Sequence, residues 1–282
     1  MSARRTTIAA IAVVCGVAAL ALVTSLPQLR NATRQAAAAP TPPVPAATPE
    51  ITPGGFSARI FTDGRVVYRY QAFVPRDYDP TKRFPVIIAF HGSAEKGSDG
   101  VQQVGVGLGP YVRAHAATFP AIVVFPQLPK VERVYQYVPA MMRLIDAAVR
   151  QLHADTTRVY LTGLSLGGMV AYDIARRSPG RYAALVPIAA PMFLFDLSRD
   201  VRLPDDEAIS LLVRSVHPTP VWIFQGATDP IVPATKVRRM VAAFEAAGTR
   251  VTYTEYAGGA HQIWDQAYRT PELWSWLLAQ RR

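Results

Sequence analysis

The chain has 282 residues, half of them hydrophobic, and a formal net charge of +10 at pH 7. This length and composition suffice for one full-sized hydrophobic core, so we expect one folded domain with accessory segments. Lys and Arg are scattered and form no run with interleaved aromatic residues, so we predict no nucleic-acid partner. The only cysteine is Cys15, which excludes disulfides and cysteine-based metal sites from the domain.

The first 39 residues have the layout of an export signal. Arg4 and Arg5 precede an apolar run over residues 8–26, and small residues follow at 36–39. The apolar run is also close to the ~20 residues that a membrane-spanning helix needs. We therefore predict a signal peptide over 1–39, or alternatively membrane attachment through residues 8–26. Either case implies an exported protein, which is periplasmic or secreted, or anchored to the inner membrane.

Residues 40–53 read PTPPVPAATPEITP and separate this signal from the domain. Proline fixes φ and removes a backbone donor, so this composition is typical of a semi-extended linker rather than a packed element. We therefore predict a Pro-rich linker over 40–53 and a folded domain over 54–282.

Within the domain, short apolar runs alternate with amphipathic stretches. Arg65–Val74 reads as an early, partly exposed strand. Further strands are predicted at Phe84–Phe90, Ala121–Phe125, Arg158–Thr162, Ala183–Ile188, Val221–Phe224 and Val251–Tyr256. Helices are predicted at Tyr135–Leu152, Leu166–Arg177 and Thr235–Ala247. This alternation predicts an α/β fold with a mostly parallel central sheet flanked by helices.

A Gly-x-Ser-x-Gly motif, Gly163 to Gly167, lies between a predicted strand and a predicted helix. In that context the serine occupies a sharp, strained turn, where glycines let neighbouring backbones approach closely. The hydroxyl of Ser165 then projects above the sheet and is available as a nucleophile. The following helix directs its free N–H groups at the same point, so the Leu166 N–H is a candidate oxyanion donor.

In the fold that carries this motif, the acid and then the base follow the serine along the chain. Asp229 follows a buried-type strand, and His261 follows a strand and a Gly-rich loop, so we predict them as the triad acid and base. His217 precedes Asp229 and does not keep this order. Asp196 remains the reserve candidate for the acid.

A second oxyanion donor is expected after the strand that ends at Phe90. His91-Gly92-Ser93 follows it directly, as in the loop that supplies this donor, so the Ser93 N–H is our candidate. His91 itself precedes the nucleophile, and we interpret it as a structural residue that shapes the loop.

Several stretches together resemble the phospholipase/carboxylesterase and predicted-peptidase branch of the α/β-hydrolase superfamily, which also includes enzymes similar to polyester depolymerases and feruloyl esterases. They are FVPRDYDP (73–80), FPVIIAFHGSAEKG (84–97), GLSLGG (163–168), GATDPIVP (226–233) and GGAH (258–261). The resemblance implies an α/β-hydrolase fold, with Ser165, Asp229 and His261 at the catalytic positions and Ser93 and Leu166 at the oxyanion positions. Only the short segment 198–217 lies between the predicted strands Ala183–Ile188 and Val221–Phe224, so we expect little or no lid.

The leading hypothesis is a serine esterase that cleaves a small-molecule or polymeric carboxylic ester through an acyl-enzyme, with no metal and no cofactor. A serine peptidase of the same fold is the main alternative, because the same triad serves both reactions. A non-catalytic exported binding protein that kept the fold is an alternative from a different class. Hydrolysis of amide reporters favours the peptidase, whereas ligand binding without acylation favours the binding protein.

Overall fold

The computed structural model describes residues 51–196 and 201–282, with only the backbone of Asp196. The strands in these ranges are β1 Phe56–Asp63, β2 Val66–Phe73, β3 Val86–Phe90, β4 Ile122–Pro126, β5 Val159–Leu164, β6 Ala184–Ile188, β7 Phe195–Asp196, β8 Val201–Arg202, β9 Val221–Gly226 and β10 Val251–Tyr256. The α-helices are α1 Leu108–Ala114, α2 Val138–Gln151, α3 Leu166–Arg177, α4 Asp205–Val216, α5 Ala234–Ala246, α6 Trp264–Tyr268 and α7 Pro271–Ala279. Short 3₁₀ turns occupy Gln102–Val104 and Val134–Tyr137.

Eight of these strands form one sheet in the order β1-β2-β4-β3-β5-β6-β9-β10. β1, β2 and β4 pair antiparallel, and every pair from β4 through β10 is parallel. β7 and β8 form a separate two-stranded ribbon. The predicted fold class, an α/β-hydrolase fold with a mostly parallel sheet flanked by helices, is confirmed.

Helices cover both faces of the sheet, which explains the uninterrupted apolar strands. Every residue of β3, β4, β5, β6 and β9 is buried. One core packs the sheet against α2, α3, α4 and α5, and we call this side the α3 face. The other core packs it against α1, α6 and α7, and we call this side the α6 face.

Several elements were not predicted from the sequence, among them β1, α1 and α4. β1 is an edge strand in which Arg59 alone is buried, so it carries little hydrophobic pattern. α1 contains Gly109 and Pro110, which have low helix propensity. α4 fills most of the segment 198–217, and because it packs against α3 and α5 it belongs to the cover of the sheet.

The connections of the sheet define where the site lies. The chain leaves β3 for β4 on one side, whereas β5 continues to β6 on the other. The carboxyl ends of β3 and β5 therefore flank a crevice of the kind in which open α/β sheets bind ligands. No helix in 51–196 or 201–282 has the length and apolar character to span a bilayer. The predicted signal or anchor over 1–39 and most of the linker lie outside the described residues.

Candidate active site

Ser165 lies in the turn between β5 and α3 with φ 50° and ψ −117°. A positive φ is uncommon for a residue with a side chain, and it is held here by the surrounding structure. The Ser165 N–H donates to the Ile188 carbonyl of the neighbouring strand at 2.8 Å. The strain expected from the Gly-x-Ser-x-Gly motif is therefore present, and the side chain is only partly buried.

The glycines of this motif allow backbones to touch. A Cβ on Gly163 would lie 2.3 Å from the carbonyl carbon of Gly167. A Cβ on Gly167 would lie 2.3 Å from the Phe90 carbonyl oxygen and 2.5 Å from that of His91. The start of α3 is thus in direct contact with the end of β3, which places Ser165 and Leu166 beside the His91-Gly92-Ser93 loop.

A continuous chain of hydrogen bonds links the three predicted triad residues. His261 Nε2 lies 2.9 Å from Ser165 Oγ, and His261 Nδ1 lies 2.8 Å from Asp229 Oδ2. The three residues come from the loops after β5, β9 and β10, and Ser165 and His261 are 96 positions apart. The ring of Trp264 stands edge-on to the His261 ring, with the centroids 5.9 Å apart. Asp196 lies in β7, and its side chain is outside the described residues.

The Asp229 carboxylate is fully buried and accepts four hydrogen bonds. Oδ1 accepts from the backbone N–H groups of Ile231 and Val232, and Oδ2 accepts from Gln225 Nε2 and from His261. Burial raises the pKa of Asp229, but the bonds from His261, Val232 and Ile231 outweigh it, so the pKa is below its usual value. Asp229 is therefore ionised at neutral pH and orients the imidazole.

Gln225 was missed in the sequence because it reads as one more residue of a buried strand. Its Nε2 donates both to Asp229 Oδ2 at 3.0 Å and to the Val232 carbonyl at 2.8 Å. It thereby ties the carboxylate to the loop that carries it. The signal available in the sequence was a glutamine at the end of an apolar strand, four residues before the acid.

The two predicted oxyanion donors lie on the two sides of the crevice. Leu166 is the first residue of α3, and Ser93 is exposed in the loop after β3. Within the described ranges, neither N–H donates to a backbone carbonyl. No backbone carbonyl of these ranges therefore occupies either donor, as an oxyanion donor requires.

His91 is buried and braces the Ser93 loop. Its Nε2 accepts the Leu128 N–H at 2.8 Å, so the proton resides on Nδ1, which donates to the Gly92 carbonyl at 2.7 Å. The carbonyl of Gly92 and the N–H of Ser93 belong to one planar peptide and point in opposite directions. Holding the carbonyl thus holds the direction of the Ser93 N–H. Burial lowers the pKa of His91 to about 4, so the ring is neutral at pH 7.

A second set of bonds attaches the rest of this loop to the end of β4. Gln127 Oε1 accepts the Gly100 N–H at 2.7 Å, and its Nε2 donates to Asp99 Oδ1 at 3.1 Å. The Gly97 N–H donates to the Leu128 carbonyl at 2.9 Å. The loop is therefore held before any ligand binds. In the part of the chain that the structure describes, no group of three or more His, Cys, Asp or Glu could hold a metal ion.

Three features together define the α/β-hydrolase class. They are the order of the strands in the sheet, the strained serine, and the hydrogen bonds that join Ser165, His261 and Asp229. Residues 67–279 match the model of the esterase family described as "Putative esterase", and the chain belongs to that family. Family and fold support a serine hydrolase. Comparison with curated proteins gives no match.

Solved structures show the same architecture. A thermostable esterase shares 26% identity and a TM-score of 0.63, with 80% of this chain and 63% of that chain covered. Dipeptidyl peptidase 4 of Porphyromonas gingivalis shares 14% identity and a TM-score of 0.63, covering 80% of this chain and 35% of that one. A ferulic acid esterase shares 15% identity and a TM-score of 0.60, covering 80% and 98%. The chain thus spans less than two thirds of the thermostable esterase and of the dipeptidyl peptidase. The dipeptidyl peptidase and the ferulic acid esterase, because of their low identity, show the fold alone.

Proposed function

We propose that this protein cleaves carboxylic esters through an acyl-enzyme formed on Ser165. The observation that carries the proposal is the chain of hydrogen bonds from Ser165 through His261 to Asp229, at 2.9 and 2.8 Å. These distances lie within the range required for proton transfer between a nucleophile and its base. Membership of the esterase family supports the ester as the substrate class.

In the acylation half-reaction, Ser165 Oγ attacks the ester carbonyl carbon while His261 Nε2 takes the hydroxyl proton. The C=O electron pair moves onto oxygen, and the Leu166 and Ser93 N–H groups stabilise that oxyanion. His261 then gives its proton to the departing alkoxide, the C–O bond breaks, and the alcohol leaves. Asp229 stays ionised and stabilises the imidazolium.

Deacylation repeats these steps with water. His261 takes a proton from the water, the resulting hydroxide attacks the acyl carbon, and the proton returns to Ser165 Oγ as the carboxylic acid leaves. The chemistry is complete with the residues present and calls on no further group. A preorganised pair of backbone donors costs little reorganisation, which is why we assign the rate enhancement largely to them.

The test is hydrolysis of p-nitrophenyl acyl esters by the purified protein, beside Ser165→Ala and an amide reporter of matched structure. We expect turnover by the wild type, none by Ser165→Ala, and a mass increase on Ser165 after a fluorophosphonate probe. Efficient cleavage of the amide would move the assignment to a serine peptidase. If no substrate is hydrolysed and Ser165 is not labelled, a non-catalytic binding protein becomes the better hypothesis.

We also propose export of the protein, on the sequence of residues 1–39 alone. Mass spectrometry of the mature protein from cell fractions tests this. Loss of the first 39 residues with the protein in the periplasm or medium supports a signal peptide, and an intact N-terminus in the membrane fraction supports an anchor. Assay of a polyester beside soluble esters tests whether the substrate is a polymer.

A further inference from the structure

A pocket of about 270 Å³ lies at the carboxyl edge of the sheet on the α3 face. It is enclosed by the segment after β6, by α4, and by the loop that carries Asp229 together with the start of α5. Ten of its thirteen lining residues are apolar, among them Met192, Phe193, Ile209, Val232 and Met240. An apolar pocket with few polar groups is the usual form of a small-molecule site.

Two of the segments that line the pocket also bond to residues of the candidate active site. The Ser165 N–H donates to Ile188, and Ala190, two residues further on, lines the pocket. In the other segment, Ile231 and Val232 line it while their N–H groups donate to Asp229. The walls of the pocket and the hydrogen bonds of the triad are thus formed by the same two segments.

The segment that carries the base and the residues of the pocket pack on opposite faces of the sheet. Ile263, two residues after His261, packs in the core of the α6 face, whereas Ile209 and Val237 of the pocket pack in the core of the α3 face. His261 must face the leaving alcohol in order to protonate it. The acyl group, on the other side of the reacting carbon, then faces the pocket.

We infer that this pocket binds the acyl group of the substrate, and that the group is uncharged, apolar and of medium length. The inference rests on the proposed function. A cavity of about 150 Å³ holds one benzene molecule, so 270 Å³ accommodates roughly twice that bulk.

Charge at the rim agrees with an uncharged acyl group. The three charged lining residues are Asp205, Lys236 and Arg239. Lys236 pairs with Asp205 at 3.0 Å, and Arg239 pairs with Asp206. Because both cations are already paired with carboxylates, the pocket presents no unpaired positive charge that would bind an anionic acyl group.

The experiment measures kcat/KM of the full-length protein on p-nitrophenyl acetate, butanoate, hexanoate and octanoate. Met192 is a partly buried residue of the pocket wall, and Met192→Trp fills the pocket. The matched control is Met142→Trp on α2, because Met142 is also partly buried but lies outside the pocket. In the wild type we expect kcat/KM to rise by up to about fourfold per methylene while the chain fills the pocket. Met192→Trp should lose this rise, with a loss in kcat/KM that grows from acetate to octanoate, whereas Met142→Trp should keep both the acetate activity and the rise.

Three results overturn the inference. The first is a dependence of kcat/KM on acyl length that is the same in Met192→Trp as in the wild type. The second is an equal loss of kcat/KM on all four esters. The third is a loss in Met192→Trp that depends on the alcohol when a series of acetate esters is compared. Phe193→Ala, which enlarges the pocket, gives an independent answer if Met192→Trp does not fold. In Phe193→Ala the acyl length that gives the highest kcat/KM should be greater than in the wild type, and an unchanged optimum counts against the pocket. Wild-type protein that cleaves no ester and is not labelled at Ser165 overturns the proposed function as well, which distinguishes the two failures.

Discussion

His91 Nδ1 donates to the carbonyl oxygen of Gly92, the adjacent residue, at 2.7 Å. The bond fixes the peptide whose N–H belongs to Ser93, and the Leu128 N–H on Nε2 selects the tautomer that makes the bond. His91 thus acts as a positioning residue for the proposed oxyanion site, without touching the substrate.

We expect His91→Ala to lower kcat more than it raises KM, because the Ser93 N–H is needed most in the transition state. Loss of one oxyanion donor costs about 10²- to 10³-fold in kcat. Because His91→Ala removes only the support that orients the Ser93 N–H, the reduction in kcat should not exceed this range. His91→Asn, whose amide nitrogen can take the place of Nδ1, should recover part of the loss. His115→Ala, at an exposed histidine, is the control, and steady-state kinetics on one ester gives the answer. An effect confined to KM would contradict the assigned role.

The lowered pKa of His91 predicts how stability depends on pH. The pKa is about 4 in the folded protein against 6.5 for an unperturbed histidine. Between these values the unfolded chain binds a proton that the folded chain does not, so stability rises with pH. The contribution is complete above pH 6.5 and is lost as the pH falls through about 4.

Urea denaturation at pH 7 and pH 5 measures this effect. We expect the free energy of unfolding to be lower at pH 5 by about 2 kcal/mol, and the difference to shrink in His91→Asn. The carboxylates with lowered pKa values, such as Asp229 and Asp99, lose their contribution only near and below pH 3.8. A pH dependence that survives unchanged in His91→Asn would show that other groups cause it.

Gln225→Leu should reduce kcat about tenfold, because it removes a hydrogen bond to the Asp229 carboxylate and one to Val232. Asp229→Ala should reduce kcat by about 10⁴-fold. If Gln225 acts only through Asp229, adding Gln225→Leu to Asp229→Ala should change kcat little further. The double-mutant cycle in kcat tests this, and additive losses in the double variant would assign Gln225 a separate role.

Gly167→Ala should destabilise the fold and reduce activity together. Its Cβ would lie 2.3 Å from the Phe90 carbonyl oxygen, so α3 must move away from the end of β3. Overpacking of this kind costs about 1–3 kcal/mol. Gly258→Ala is the matched control, because a Cβ there meets nothing within 4 Å. Thermal denaturation of the two variants compares them, and equal Tm values would refute the close contact.

Much of the architecture was predictable because the strands that helices cover on both faces are continuously apolar. Leu166–Arg177 and Val251–Tyr256 were predicted with the bounds that the structure has, and most other predicted elements differ by one to three residues. α1 and α4 were not predicted, since a helix held by packing need not show strong local propensity. α4 matters for function because it forms one wall of the proposed acyl pocket.

The amino-acid sequence by itself determined the strand-turn-helix context of Ser165 and the chain order of Ser165, Asp229 and His261. These follow from local propensity and from the glycines that a strained turn requires. Only the tertiary structure decided which groups meet: the 2.9 Å contact between His261 and Ser165, the tautomer of His91, and the hydrogen bond that Gln225 donates to Asp229. Such contacts join residues from different loops, and their geometry exists only once the parallel strands align the carboxyl ends that carry them.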